Sequence, residues 1–440
     1  MKTFKAIASL LVGTVSSLLL MGCGEIDTGT ETSAWEKETV TDVPEEPKTE
    51  IILGDIGRAS TLQEAVADFN GKNYGITITI HDYYEENIND GISRLYDDIL
   101  TGKGPDIISF STDETDVEAL REKGAIENLI PYLEKSDVIG EEDIVDSAYQ
   151  VLTADGGLYM LPTNFVLYTL ITKEKWCSNK ENFTFEEALR AVRECEEDPM
   201  ISRDLFLQEG AICGGYSGET EDNRLEQYIK IAEQLPQQAM FQTNDLLMRE
   251  GKIPFNLECI GDMQQYLYKK SVWGEDAVYT GFPGAEGKGR IFIFDNCFAI
   301  NSQSTHKEEA WKFVESYFTE EGQKTIAPNW NFSILQDVLD QQLSDSRKQE
   351  YYQTSDGKRE KLPILTYEIG GTYENVYAAQ DEDIQDVREM INNTKVMQRS
   401  DLPFIGITQE EALYYFNGEK SIEGRILTFL SLLIPAFHCS

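Results

Sequence analysis

Three histidines, seven cysteines and 78 acidic side chains are the raw material for chemistry in this 440-residue chain. Nucleophilic catalysis needs a hydroxyl or thiol beside a base. His81 falls at a strand end, His306 at a helix start and His438 in an apolar tail, and no Ser/His/Asp set can be assembled around them. Cys23, Cys177, Cys195, Cys213, Cys259, Cys297 and Cys439 contain no Cys-x-x-Cys pair and no Cys/His cluster with zinc spacing, so no metal is expected. The six cysteines after Cys23 could pair, but spacing does not give connectivity, and buried free thiols are the expectation. Asp97-Asp98, Glu141-Glu142 and Asp381-Glu382 arise easily in so acidic a chain. They read as solvated faces, not as the two cleft carboxylates of a glycosidase. Runs 113–118 and 381–386 lack the glycine and closing glutamate of a calcium loop. Gly287-Lys288-Gly289 has no strand and helix around it and is no phosphate cradle. What is left is binding without catalysis, with no cofactor.

Charge narrows what is bound. The chain carries 38 basic against 78 acidic residues, a net charge of −40. Such a surface repels nucleic acid, which is excluded, and argues against an anionic ligand. Neutral and cationic ligands stay open. At 41% hydrophobic residues the chain is long enough for two domains with cores of their own.

The elements that would position a ligand centre on residues 101–111, TGKGPDIISFS. Gly102 and Gly104 permit a turn out of a helix, and Pro105 forbids more helix. Ile107 and Ile108 make a short buried strand that ends in Ser109, Ser111 and Thr112. Ligands of open α/β sheets bind at that end of a strand. Upstream, Ile51-Ile52-Leu53 is a buried strand, and Ser60 with Gln63 forms a capping box for the next helix. Ile76, Ile78 and Ile80 alternate with polar residues, a half-buried strand ending in Asp82-Tyr83-Tyr84. A helix over 88–100 completes a βαβαβ opening. Further on, Asp155-Gly156-Gly157 reads as a hairpin turn. A strand over 165–172, a helix over 185–196 capped by Thr184 and Glu187, strands over 277–280 and 291–301, and a helix over 307–318 capped by Thr305 and Glu308 follow. Ala310, Trp311, Val314 and Phe318 fall on the core face of that last helix, and Trp176 is also assigned to the core.

The first 23 residues carry Lys2 and Lys5, an apolar run over 6–20, and Leu20-Met21-Gly22-Cys23. This resembles a bacterial lipobox, which implies cleavage before Cys23 and acylation of its thiol. The polar stretch 24–50 reads as a disordered tether. Three further segments, GKGPDI at 102–107, DGGLYMLP at 155–162 and EAWKFV at 309–314, resemble the bacterial extracellular solute-binding proteins, the capture subunits of ABC importers. AIENLIPYL at 125–133 and Gly281-Phe282-Pro283 fit the same pattern. The resemblance spans about 51–424.

It implies a periplasmic-binding-protein-like type II fold: two α/β lobes with a hinge and an interlobe cleft. The lobes would be 51–163 with 281–325 and 164–280 with 326–440. The protein would be a monomer held by lipid at Cys23 on the outer face of the cell membrane, delivering a sugar or oligosaccharide to ABC permease subunits. A peptide, polyamine or other cationic solute is the alternative, as is a surface lipoprotein outside transport (a sensor partner or a hydrolase). By loop position Arg58 and Asp82 are candidate polar contacts, with Asn164 from the crossing. Tyr83, Phe282 and Trp330 are candidate stacking walls, with Trp273 and Tyr216 behind them. The family's long closing helix is replaced after Gly424 and Arg425 by ILTFLSLLIPAFHCS, too short to span a bilayer. It reads as a change of reading frame, with a docking helix as the alternative.

Overall fold

The computed structural model describes residues 48–419 except 57–60, 85–87, 113–116, 155, 198, 200, 215–223, 238–244, 285–288, 323–330, 399–400 and 401–412. The chain divides into units 1–46 and 47–440, and the described residues all lie in the second. The leader, Cys23, the tether and the apolar tail are outside them.

The alternating strand–helix pattern becomes one large mixed sheet. Its strands are β1 (Thr49–Asp55), β2 (Ile76–Asp82), β3 (Ile107–Phe110), β4 (Leu161–Lys173), β5 (Phe255–Ile260), β6 (Ala277–Tyr279), β7 (Ile291–Ile300) and β8 (Phe332–Ser333). The spatial order is β2-β1-β3-β7-β4-β5, with β6 and β8 also paired to β4. β1 runs parallel to β2 and β3, as right-handed crossover through the helices Leu62–Gly71 and Ile88–Leu100 requires. β7 then runs antiparallel to β3, and β4 antiparallel to β7. The two longest strands, β4 and β7, are almost wholly buried and carry the sheet from the β1–β3 side to the β5–β6 side. Two small hairpins stand apart: β9 (Tyr351–Gln353) with β10 (Arg359–Lys361), and β11 (Leu365–Ile369) with β12 (Thr372–Val376). A last short strand, β13 (Val396–Met397), lies parallel on β7.

The core forms in two places. The larger packs β1–β3 and β7 against the helix Lys307–Ser316, where Ala310, Trp311, Phe313 and Val314 are buried as their 3.6-residue spacing demands. Phe313 meets Phe69 edge to face at 5.2 Å, tying the first helix to this one. The smaller gathers Leu170, Phe183, Phe206, Tyr228, Phe255 and Phe282 under the helices Phe185–Glu194, Arg203–Gly214 and Arg224–Ala232. Trp176 is buried too.

Local expectations meet mixed outcomes. Thr184 and Glu187 form the capping box: Thr184 Oγ1 accepts from Glu187 N at 3.2 Å, and the Glu187 carboxylate accepts from Thr184 N at 3.0 Å. The helix ends at Glu194, where Cys195 turns extended. Ser60 lies outside the described residues, and Thr61, which precedes the helix, makes no side-chain cap bond. Thr305 does not cap either. The helix starts after His306, whose amide is taken up by Ser304 Oγ at 3.0 Å, and it ends at Ser316 instead of 318. The hairpin expected at 155–157 is not formed, because the helix Asp146–Leu152, and not a strand, leads into β4; Gly156 is left-handed in the connection. The five described cysteines are free thiols, but Cys259 is exposed and Cys195 half-buried, against the expectation of burial. Cys259 sits on β5 at a sheet edge, where alternation turns it outward.

Candidate functional site

Parallel strands end together, so β1, β2 and β3 present their carboxyl ends along one line. The register places Asp82 beside Asp55, and Asp55 beside Ser109. Residues paired across strands share a face, so three polar side chains form a row. Asp55 and Ser109 are buried, and Ser109 Oγ has no hydrogen-bond partner. Tyr317 is close enough for Asp55 to act on it. Its phenol is held well above its ordinary pKa, first by burial and then by the Asp55 charge.

The chain leaves β3 through Ser111 and Thr112, which clamp onto β7. Thr112 N donates to Phe294 O at 3.0 Å, Phe294 N donates to Thr112 Oγ1 at 3.0 Å, and Ser111 Oγ donates to Phe294 O at 3.3 Å. Just beyond this clamp β7 deforms. Asn296 has φ 48°, a left-handed conformation that asparagine tolerates better than most residues, and its amide donates to Asp295 Oδ1 at 2.8 Å. The β4–β7 register runs unchanged through this point, and only the Thr163–Asn296 pair is missing from the ladder. Pro162 pairs with Cys297 and Asn164 with Asp295, leaving Thr163 without a ladder partner on β7. Asn164 also pairs with Ser333 on its other side, so Asp295, Asn164 and Ser333 form a second polar row. Asn331 Nδ2 donates to Asp295 Oδ2 at 3.3 Å and closes it.

Two oxygens in this band lack what buried oxygens normally have. Asn164 is 2% exposed and its Oδ1 has no donor; Thr163 is fully buried and its Oγ1 has no partner. A buried unsatisfied polar atom costs about 1–3 kcal/mol, so such groups in a native fold call for an explanation. Their position, where β1–β3 end and the two long strands cross, supplies one: a solute with hydroxyl or N–H donors. Among the described residues the band holds carboxylates, amides and hydroxyls and no histidine. Among the described residues no group of three or more His, Cys, Asp or Glu is placed to hold a metal ion.

Of the residues expected to touch a solute, Asn164 is in this band. Asp82 is at the end of β2, exposed, with its Oδ1 accepting from Tyr84 N at 2.7 Å. Arg58, Trp330 and Tyr216 lie outside the described residues. Tyr83 and Phe282 are corrected as stacking walls. Tyr83 is 2% exposed, its ring lies 4.4 Å from His81, and its OH donates to Asp98 Oδ2 at 2.9 Å. Phe282 packs 5.8 Å from Phe206 in the smaller core. Rings so enclosed offer no face to a sugar. Trp273 is fully buried as well. Loop position at a strand end had suggested these aromatics, but the chain turns them inward, where their area is worth more.

Thr163 and Asn331 lie in segments expected near the cleft, whereas Asp55, Asp295, Asn296 and Ser333 carry no such expectation. One signal was visible: Asp295-Asn296 interrupts the apolar run IFIFDNCFAI of β7. A polar pair in the middle of a buried strand marks a bulge or a site. Two surface grooves, of about 660 and 720 Å³, lie elsewhere, around Lys270, Glu275 and Glu382. Their lysines are engaged in ion pairs, Lys270 with Asp383 at 2.7 Å and Lys180 with Asp386 at 2.6 Å, so we assign the grooves to the charged surface.

A mixed α/β sheet joined by two long, buried strands thus carries a polar band with unsatisfied oxygens. The model of the family of bacterial extracellular solute-binding proteins matches residues 64–342, and the chain belongs to that family. No curated protein sequence matches it. Solved structures similar to it include an ABC substrate-binding protein from Listeria monocytogenes in complex with cycloalternan (17% identity, 89% of this chain and 99% of that one, TM-score 0.55). The sugar-binding protein MalE from Xanthomonas citri is similar at 15% identity, over 87% of this chain and 96% of that one, with TM-score 0.56. The galacto-N-biose/lacto-N-biose I-binding protein of Bifidobacterium longum, in complex with lacto-N-biose, is similar at 12% identity, over 89% and 97%, with TM-score 0.52. At these identities the likeness establishes the fold: two α/β lobes of the periplasmic-binding-protein type.

Proposed function

We propose that the polar band is the solute site and that its solute is a sugar or oligosaccharide, captured outside the cell and handed unchanged to ABC permease subunits. The observation that carries this is the buried, donorless Oδ1 of Asn164, set between Asp295 and Ser333. Hydroxyl-rich ligands satisfy such acceptors. The similar proteins described as binding cycloalternan, lacto-N-biose and other sugars support the carbohydrate class. On this reading the lobes are 51–163 with 281–325 and 164–280 with 326–440, and they close by a hinge about the crossing strands. The receptor acts as a monomer, anchored by lipid at Cys23, with Arg58, Asp82 and Trp330 as further contacts.

A thermal-shift panel of neutral oligosaccharides tests it. A glycan at 100 times its Kd stabilises by about 2.7 kcal/mol. A second reading, a cationic solute, is favoured by the −40 charge and by Asp55, Asp82 and Asp295 at the site. Silence to every glycan with a response to polyamines or basic peptides would decide for it. Release of hydrolysis products from a bound glycan would overturn capture without chemistry.

A further inference from the structure

Away from the polar band, a carboxylate is sealed inside the smaller core. Glu209, on the helix Arg203–Gly214, is 1% exposed. Gln398, which follows β13, is 6% exposed and donates from Nε2 to Glu209 Oε1 at 3.4 Å. The remaining oxygen of each side chain, Glu209 Oε2 and Gln398 Oε1, has no hydrogen-bond partner. Two acceptors cannot satisfy each other. A carboxylic acid and a primary amide can, because the acid's O–H donates to the amide oxygen while the amide N–H donates back.

We propose that Glu209 is protonated in the folded protein and that the resulting acid–amide pair is a clasp holding the C-terminal strand on β7, released as the surroundings turn alkaline. What the clasp holds is specific. Gln398 N donates to Phe292 O at 2.7 Å, and Val396 and Met397 pair with Ile291 and Phe292. Phe292 is two residues from Phe294, the residue clamped by Thr112, so the clasp sits on a strand that also builds the polar band. The surroundings agree. Burial pushes the Glu209 carboxyl up to about 7, Gln398 opposing only in part. Cys213, one turn on, is buried and its thiol is pushed up, so it brings no charge. Arg290, ahead of β7, is buried and acts on Cys213, with its guanidinium donating to Tyr279 O at 3.0 Å. On the neighbouring helix Arg224–Ala232, Lys230 is paired with Glu226. Arg203 is stacked on Phe416 at 4.1 Å, and Lys395, ahead of β13, reaches Gln150 at 3.4 Å.

The sign follows from linkage. An unfolded Glu209 loses its proton near the ordinary 4.5, the folded one near 7. Its contribution is complete below about pH 4.5 and is lost as pH rises through 7. Between pH 5 and pH 8 the folded-to-unfolded ratio should fall by on the order of 100-fold on this account alone. Glu209→Gln copies the neutral acid, with one donor and one acceptor, and should abolish that part of the fall. The test is thermal or urea unfolding of the full chain from pH 5 to 8.5, wild type against E209Q. Hydrogen exchange at the Gln398 amide, corrected for intrinsic rate, serves as the local readout. Expected are curves that converge at pH 5 and diverge above 7, with exchange at Gln398 rising with pH in the wild type only. Parallel curves, or E209Q less stable at every pH, overturn the proposal. Gln398→Glu should instead steepen the fall, because two carboxyls then share one buried site; an unchanged slope also overturns it. The experiment uses no solute, so its outcome is independent of the sugar reading.

Discussion

Asn164→Leu is the substitution that separates a binding site from a packing position. Asn164 is 2% exposed with a donorless Oδ1, and a buried acceptor of that kind costs about 1–3 kcal/mol. Leucine keeps the same branched shape and number of side-chain heavy atoms and has no polar atom. Without solute, the variant should therefore be as stable as wild type or more stable by about 1 kcal/mol, which in a chain of this size moves Tm by about 2 °C. With solute the sign reverses. The hydroxyl that wild type would pair with Oδ1 is left buried and alone, costing about 1–3 kcal/mol, or roughly 5- to 150-fold in Kd. The assay is a melt without ligand and calorimetric titration with the glycan that gives the largest wild-type shift. A leucine variant that melts well below wild type and binds as before would refute the reasoning, because Asn164 would then be structural.

Three shorter tests address the frame around the site. Phe282→Ala should cost about 3–5 kcal/mol of stability, as for a large core side chain, with little change in solute affinity per folded molecule; a large affinity loss at unchanged stability would return Phe282 to the site. Thr184→Ala removes the acceptor for Glu187 N and should cost about 1 kcal/mol in urea unfolding. Gly284→Ala should lower Tm more than either cap or surface changes, because φ is +76° and a Cβ there runs into the Phe185 ring; a neutral result would mean that this loop is differently built.

Local chemistry was legible wherever a rule acts over a few residues. The alternation of Ile76, Ile78 and Ile80 became β2, the Thr184–Glu187 box formed, and the apolar face of 307–316 packed where its spacing placed it. Rules that depend on a competitor were less legible. Thr305 is of a capping type, yet the helix begins one residue later, after His306, with Ser304 Oγ accepting from the His306 amide. Such a choice turns on a few tenths of a kcal/mol.

By itself the sequence determined the class of molecule: an acidic, strand-and-helix chain of the solute-binding family, marked by three short segments. It also determined that the first three strands run parallel and end in polar residues, since crossover helices of that length leave no other arrangement. Only the tertiary structure decided which of those polar residues meet. Asp295, Asn164 and Ser333 are separated by 131 and 38 positions and come together through the register of β7, β4 and β8. That register is set by the long-range pairing of three strands distant in the chain, which no local pattern specifies. The same holds for the aromatics. Tyr83 and Phe282 sit in loops that open toward solvent on paper, but a ring goes wherever most of its area can be buried, and that is known only when the neighbouring helices are in place.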